Sequence, residues 1–147
     1  MKFIGFDRED EAIVWAKAKI GVDGEVGFCR AMSTVDAEGN FVLVTVFSNF
    51  SARNVDMQIA IDANGIKMTR YGFQEIFNAA FGYVFNTLKV ARVTGLVRAK
   101  NSKARRFDEH LGFKLEGVIR EAFEDDDLCI YGFLKSDFDN HRWQNGK

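Results

Sequence analysis

Apolar residues follow two different periods along the chain, and these periods separate predicted strands from predicted helices. Short runs rich in aromatic and β-branched residues predict seven strands: residues 1–6, 27–35, 40–47, 54–62, 91–99, 113–123 and 128–138. The sequence DAEGN between the second and third runs is a turn signal, so those two strands are predicted to form a hairpin. The acidic sequence EDDD predicts another turn between the last two strands.

Three segments repeat apolar residues at intervals of three and four, which indicates helices at residues 8–21, 72–88 and 101–111. The second is the longest and carries four phenylalanines at intervals of four residues, so we expect it to be buried. The element order is therefore β α β β β α β α β β. Strands that flank a helix imply parallel neighbours, whereas strands joined by tight turns imply antiparallel pairs. This order predicts the α/β class, an α+β mixed sheet flanked by helices.

The charged third helix has recognisable ends. Asn101 is placed to cap its first turn, with Ser102 as the competing candidate. Gly112 follows the last apolar residue, where a left-handed C-cap is expected, because glycine adopts that conformation without a steric penalty. Phe113 is then expected to enter the core at the start of the next strand.

These residues also carry a resemblance to a known family. Asn101, followed eleven residues later by Gly112–Phe113 and then by Glu116–Gly117, resembles the second half of the GNAT N-acetyltransferases. The sequences YVF at residues 83–85 and DDDLCIYGFL in the last strand are similar to further family stretches. Within that family, the residue pattern resembles most the RimJ/RimL-type ribosomal-protein N-terminal acetyltransferases, and we expect a small, phage-encoded member. The resemblance covers nearly the whole chain and implies the same element order, a GNAT-like fold.

The resemblance implies acetyl-CoA as cofactor, with CoA as product, and it implies a strand whose backbone pairs with the pantetheine arm. By this analogy Ile59, Ala60 and Ile61 bind through their backbones. Asn101 would hydrogen-bond the same arm in addition to capping its helix. A cap alone is the other interpretation of Asn101.

A loop that leads into a helix would bind the pyrophosphate through free N–H groups and the helix dipole. Here the sequence KMTRYGF occupies that place, and its candidate residues are Lys67, Thr69, Arg70, Tyr71, Gly72 and Phe73. This loop departs from the family, because Arg70 stands where a glycine is usual. At the start of the charged helix, Lys103 and Arg106 are three residues apart and would suit the 3′-phosphate, although a charge run is also typical of a solvated helix face.

The catalytic groups are less evident. Relatives place a tyrosine seven residues after the asparagine, or a serine three residues after it, and these positions are Asp108 and Ala104 here. Ser102 is the nearby alternative acid, and Glu121 and Asp56 are the candidate bases. A strand amide near Ile59 is the candidate donor to the oxyanion. Positioning alone can also support acetyl transfer without a dedicated base.

Composition limits the partners. The 147 residues suit one domain, residues 1–147, and their formal net charge of −1 gives no support for nucleic-acid binding. No apolar run approaches the roughly 18 residues that a membrane-spanning helix needs, and the N-terminal residues turn acidic, so we expect a cytoplasmic protein. Two cysteines and two histidines predict no metal site. The acceptor is expected to be a protein or a small molecule that bears an amine, and a homodimer is left open.

The function that these observations favour is acetyl-CoA-dependent N-acetyl transfer to a primary amine on a protein N-terminus, a lysine or a small molecule. The alternative is a non-catalytic module of the same fold that binds CoA or a protein partner. The unusual loop and the missing acid favour that alternative. A third class is a nucleic-acid-binding or host-interaction protein without a CoA site, and the near-neutral charge argues against nucleic-acid binding.

Overall fold

The protein is described by a computed structural model that covers residues 1–20, 27–62 and 70–144, with the backbone alone for Arg70 and Tyr71. Strands β1 to β7 are Lys2–Gly5, Cys29–Val35, Phe41–Ser48, Asn54–Ile61, Arg92–Arg98, Lys114–Phe123 and Asp126–Leu134. Helices α1 to α4 are Glu9–Ile20, Arg70–Gly82, Ser102–Leu111 and Lys135–Asp139, and a π-helical turn, Tyr83–Thr87, extends α2. Within the described ranges, no helix has the length and apolar character needed to cross a bilayer.

The seven strands form one mixed sheet in the order β1-β2-β3-β4-β5-β7-β6. Every neighbouring pair is antiparallel except β4 and β5, which are parallel. The parallel pair follows from the crossover through α2, because a tight turn cannot join two parallel strands. The predicted mixed sheet flanked by helices is confirmed.

Helices cover the two faces of the sheet unequally. On one face, α1 packs the fully buried Ala12 and Ala16 against β2, β3 and β4. On the other face, α2, α3 and α4 pack over a larger core that includes side chains of β3, β4, β5 and β7. The small alanines allow α1 to approach the sheet closely, and the large aromatics fill the wider layer on the opposite side.

The phenylalanines of α2 form the centre of the larger core. Phe77, Phe81 and the adjoining Phe85 are each almost completely buried. The ring of Phe81 lies 4.6 Å from that of Phe133 on β7, and the rings of Phe85 and Phe138 are stacked 5.5 Å apart. Burying one such side chain contributes about 1.5–3 kcal/mol. The prediction of a buried helix in this segment is therefore confirmed.

The predicted last strand, residues 128–138, is wrong at its C-terminal end. β7 ends at Leu134, and α4 follows at once. The carboxylate of Asp137 accepts a hydrogen bond of 2.9 Å from the backbone N–H of Leu134, which satisfies a group that the first turn would otherwise leave unpaired. Phe138 fits either pattern in the sequence, because one apolar residue cannot distinguish a strand end from a single helical turn.

Candidate functional site

The sheet opens between β4 and β5. Only three pairs join these strands, Asn54 with Arg92, Val55 with Val93, and Asp56 with Thr94. β4 then continues to Ile61 and β5 to Arg98 without further pairing between them among the described residues. The two strands therefore leave an opening in the sheet whose inner end is the last pair.

The edge of β4 at this opening presents the backbone of alternate residues. The N–H of Asp62 donates to the carbonyl of Val42 at 2.9 Å, so the backbone groups of Asp62 and, by alternation, of Ala60 point to β3. Those of Ile59 and Ile61 point the other way, towards the opening. Of the three backbone residues predicted to bind the pantetheine arm, Ile59 and Ile61 thus border the opening. The prediction for Ala60 is corrected, because its backbone belongs to the ladder with β3.

An apolar cleft of about 320 Å³ lies over this edge, on the face that α2 and α3 cover. Side chains of β3, β4, α2 and α3 line it, including Met57 and Ile59 on β4, Phe73 and Phe77 on α2, and Phe107 and Leu111 on α3. Thr45 also lines the cleft, and its buried hydroxyl oxygen has no hydrogen-bond partner within the described part of the chain. An unpaired buried hydroxyl costs free energy unless a ligand or water completes it.

The ends of α3 are as predicted. Oδ1 of Asn101 accepts a hydrogen bond of 3.2 Å from the N–H of Ala104, which caps the helix. Gly112 has a φ of 109°, the left-handed conformation of a C-cap. Phe113 follows it into the core, 5% exposed. The prediction of both caps and of the core position of Phe113 is confirmed.

The basic residues of α3 divide into two kinds. Arg105 is held in place, because its Nε donates to the hydroxyl of Tyr131 at 3.0 Å and its Nη1 to the carbonyl of Ala99. Lys103 and Arg106 are exposed, and neither forms an ion pair with any residue that the structure describes. Both predicted phosphate ligands therefore remain available to a solvent-borne anion.

The predicted pyrophosphate loop is only partly described. Lys67 and Thr69 lie outside the described residues, as do the side chains of Arg70 and Tyr71. The helix α2 begins at Arg70, so the predicted candidates from Arg70 to Phe73 belong to its first turn. The positive end of the helix dipole lies at such a turn. The ring of Phe73 lies 6.1 Å from that of Phe107, which brings this turn to the rim of the cleft.

Of the three predicted catalytic residues, Asp56 lies at the inner end of the opening and Ser102 begins α3. Asp56 is the last residue of β4 that pairs with β5, and its carboxylate accepts hydrogen bonds from the side-chain amides of Asn54 at 3.0 Å and Asn49 at 3.2 Å. Ser102 is the first residue of α3 and is exposed. Its hydroxyl therefore stands at the outer end of the helix that borders the cleft.

Glu121 does not lie with the other candidates. It is exposed, near the end of β6, and β7 separates its strand from β5. Its N–H donates to Oδ1 of Asp127 at 2.8 Å, and its φ of 54° interrupts the strand. A register shift between Ile119 and Phe123 interrupts the pairing of β6 with β7 around Glu121, so the structure does not bring this candidate base to the opening.

The sequence did not reveal a polar network beside Asp56. The hydroxyl of Thr94 donates to Oδ1 of Asn54 at 2.6 Å, and Arg92 bridges Thr94 to the carboxylate of Glu116, whose Oε1 is 2.6 Å from Nη2 of Arg92. The polar residues at alternate positions of two parallel strands were a usable signal, because alternation places them on one face. The network therefore marks a polar patch on the sheet face opposite the apolar cleft.

Asp108 of α3 is the second feature that the sequence did not reveal. Its carboxyl group lies against Gly95, so that a Cβ placed on Gly95 would be 3.4 Å from Oδ2 of Asp108. Burial, and to a smaller extent the neighbouring charge of Glu109, raise the pKa of Asp108 to about 7. The sequence showed only that an aspartate stands where relatives have a tyrosine.

Comparisons with known proteins bear on this arrangement. No family model matches the chain, and no curated protein matches it either. A solved chimera of the Vibrio cholerae spermidine N-acetyltransferase SpeG and hSSAT is 26% identical, with a TM-score of 0.61 over 76% of this chain and 71% of that chain. The Vibrio cholerae spermidine N-acetyltransferase in complex with CoA and spermine is 23% identical, with a TM-score of 0.64 over 78% of this chain and 70% of that chain.

A GNAT-family acetyltransferase from Bacillus anthracis is also similar, at 18% identity and a TM-score of 0.59 over 72% of this chain and 66% of that chain. These similarities confirm the GNAT-like fold. The match at 26% identity supports the predicted enzyme class, an N-acetyltransferase. The resemblance of the sequence to the RimJ/RimL type and the expected phage origin stay predictions.

Proposed function

We propose that the chain transfers the acetyl group of acetyl-CoA to a primary amine. The observation that carries this proposal is the opening between β4 and β5, whose open backbone edge lies under an apolar cleft. Such an edge offers main-chain donors and acceptors to an extended ligand, and the cleft covers the apolar part of that ligand.

The residues of the cleft fit the parts of acetyl-CoA. Ile59 and Ile61 offer to the two amides of a pantetheine arm backbone groups that no described strand pairs. The unpartnered hydroxyl of Thr45 and the amide Nδ2 of Asn101 supply polar contacts at the cleft and at its α3 side. Lys103 and Arg106 supply positive charge for the phosphates. When bound, acetyl-CoA supplies a thioester, an activated acetyl donor.

The same assignment extends to the predicted pyrophosphate site. Lys67, Thr69, Arg70, Tyr71, Gly72 and Phe73 remain its proposed residues. The support is that α2 begins at Arg70 and that Phe73 borders the cleft. The N-terminus of a helix attracts phosphate through its unpaired N–H groups and its dipole. The arginine in the place of a glycine adds a charge beside that turn.

The acceptor amine is proposed to approach from the opposite face, where the polar network lies. Asp56 is the candidate base, because it stands at the inner end of the opening and no cation neutralises its carboxylate among the described side chains. Its two asparagine partners hold the carboxylate in one orientation. The N–H of Ile59 is the proposed donor to the developing oxyanion, since it points into the opening.

The acceptor itself is a small polyamine or an amine on a protein, either an N-terminus or a lysine. The solved complex with spermine supports the polyamine, because that protein has the same fold. The acidic residues of the β6–β7 turn favour a cationic acceptor as well. A homodimer and a cytoplasmic location stay predictions.

The test is transfer of a labelled acetyl group, measured by mass spectrometry. The purified chain is incubated with deuterated acetyl-CoA and, separately, with spermidine, a peptide with a free N-terminus and an Nα-blocked lysine. We expect acetylation of at least one of these amines well above the rate without protein. Spermidine as the preferred acceptor supports the polyamine proposal, and a preference for the peptide supports an N-terminal acetyltransferase.

Asp56→Asn is the matched variant for this assay, because it keeps the size of the side chain and removes its capacity to accept a proton. We expect kcat to fall about 100-fold if Asp56 is the base. Binding of acetyl-CoA without transfer to any of the three amines would contradict the proposed function in favour of a non-catalytic module.

A further inference from the structure

The carboxyl group of Asp108 lies at the inner end of the opening, on the face that α2 and α3 cover. Gly95, which it contacts, is the first residue of β5 after the last pair with β4. Because Gly95 has no side chain, the carboxyl group can occupy the space above the backbone there. Phe107 and Leu111, its neighbours on α3, line the apolar cleft. Asp108 therefore lies over the first unpaired residue of β5, on the helix that lines the cleft with Phe107 and Leu111.

No group in the described ranges forms a hydrogen bond or an ion pair with this carboxyl group. On α3 the nearby charges are Glu109, which is of the same sign, and Arg105, which is held by Tyr131. The neighbours from other parts of the chain are Gly95 on β5 and the aromatic residues Phe113 and Tyr131, which lie beside Gly95. Asp108 is half-buried, and a carboxyl group that loses solvent without gaining partners costs free energy; such groups are concentrated at functional sites.

Burial also sets the protonation of this group. It raises the pKa of Asp108 to about 7, so a large fraction of the molecules carry the proton at neutral pH. An acid whose pKa is close to the working pH donates a proton efficiently and is readily protonated again by solvent. Asp108 thus has the position and the proton that a departing thiolate requires.

We propose that Asp108 is the catalytic acid of the transfer, an inference that rests on the proposed function. Asp108 gives its carboxyl proton to the sulfur while the bond from that sulfur to the acetyl carbon breaks. At the same centre the amine nitrogen bonds to the acetyl carbon and releases one proton to Asp56 or to water. Asp108 then regains a proton from solvent, so the products are the acetylated amine and a neutral thiol.

Kinetics of Asp108→Asn are the first test, with spermidine as the probe amine. Asparagine keeps the shape and neutrality of the protonated side chain but has no acidic proton. We expect kcat of Asp108→Asn to be lower than that of wild type by about 100-fold or more, with little change in the KM for acetyl-CoA. In wild type kcat should decrease above pH 7 as Asp108 loses its proton, and in the variant this decrease should be absent. The matched control is Asp139→Asn on α4, an exposed carboxylate outside the site. A kcat within threefold of wild type overturns the proposal.

A readout independent of turnover is the ¹³C resonance of the Asp108 carboxyl carbon, assigned by its loss in Asp108→Asn. It is titrated in the free protein, with CoA and with desulfo-CoA, which lacks the sulfur. We expect CoA and desulfo-CoA to give different midpoints, because only CoA places a sulfur beside the carboxyl group. Equal midpoints, when calorimetry shows both ligands bound, overturn the role of Asp108 alone. Absence of binding by both ligands overturns the proposed function, and this inference with it.

Discussion

Replacing Asp108 by asparagine is expected to stabilise the fold at pH 8 and to have little effect at pH 4. Asp108 has a pKa of about 7 in the folded chain against the ordinary value of 3.8. Below pH 4 both the folded and the unfolded states hold the proton. Between pH 4 and pH 7 the unfolded state releases it while the folded state keeps it, so the free energy of unfolding falls as the pH rises.

Above pH 7 both states are ionised, and the whole cost of burying the carboxylate is present. At about 1.4 kcal/mol per pKa unit, this cost is on the order of 4 kcal/mol. Asparagine does not titrate, so the variant should lack this fall. The measurement is urea unfolding of both proteins from pH 4 to pH 8.5, with the difference in the free energy of unfolding plotted against pH. Parallel curves for the two proteins would show that the carboxyl group is solvated in the folded state.

The matched control for this experiment is Glu109→Gln. Glu109 contributes to the raised pKa of Asp108 only as a neighbouring charge, whereas burial is the larger cause. Its replacement should therefore shift the steep part of the wild-type curve slightly to lower pH and leave the size of the fall almost unchanged. A loss of the fall in Glu109→Gln would assign the effect to repulsion between the carboxylates instead of burial.

Proline at position 59 is expected to abolish tight acetyl-CoA binding while the fold persists. The N–H of Ile59 points into the opening and takes no part in the ladder with β3. Proline therefore removes no hydrogen bond from the sheet, and an unpaired edge is where a strand tolerates it. It does remove the donor proposed for the ligand. Loss of one such hydrogen bond corresponds to about a tenfold weaker Kd, and the ring in the opening adds to this loss.

Ala60→Pro is the matched control on the neighbouring residue. The N–H of Ala60 belongs to the ladder with β3, so its removal breaks a bond in the interior of the sheet. We expect Ala60→Pro to lower the thermal midpoint much more than Ile59→Pro does. The Kd for acetyl-CoA is measured by calorimetry, and the midpoint by circular dichroism. If Ile59→Pro binds acetyl-CoA as wild type does, the ligand does not use this edge.

Much of the fold was predictable because local signals agree with tertiary packing. The helix α2 repeats large aromatics at helical spacing, and these residues are the core against β7. The ends of α3 were equally predictable, because asparagine is favoured at the N-cap of a helix and glycine at its C-cap. Phe138 fits both the end of a strand and a helical turn, so the predicted last strand wrongly included the residues of α4.

The site was less predictable, because it depends on pairing and not on residue type. Nothing in the sequence of β4 shows that its partner leaves after Asp56, or that Ile59 and not Ala60 borders the opening. Nor does the sequence show that the strand β6, which carries Glu121, pairs with the far side of β7 and lies away from the opening. From the sequence, Asp108 marks only the absence of the tyrosine that relatives use as an acid. Its position against Gly95 and its raised pKa depend on the fold.

The central claim is that acetyl-CoA binds along the open edge of β4, and amide chemical shifts test it most directly. A ¹⁵N-labelled sample is titrated with acetyl-CoA, and the shifts of Ile59 and Ile61 are compared with those of Gln58 and Ala60. We expect large changes at Ile59 and Ile61, whose N–H groups face the opening, and small ones at the alternate residues, whose N–H groups remain bonded to β3. Saturating acetyl-CoA that leaves Ile59 and Ile61 unshifted would contradict the claim.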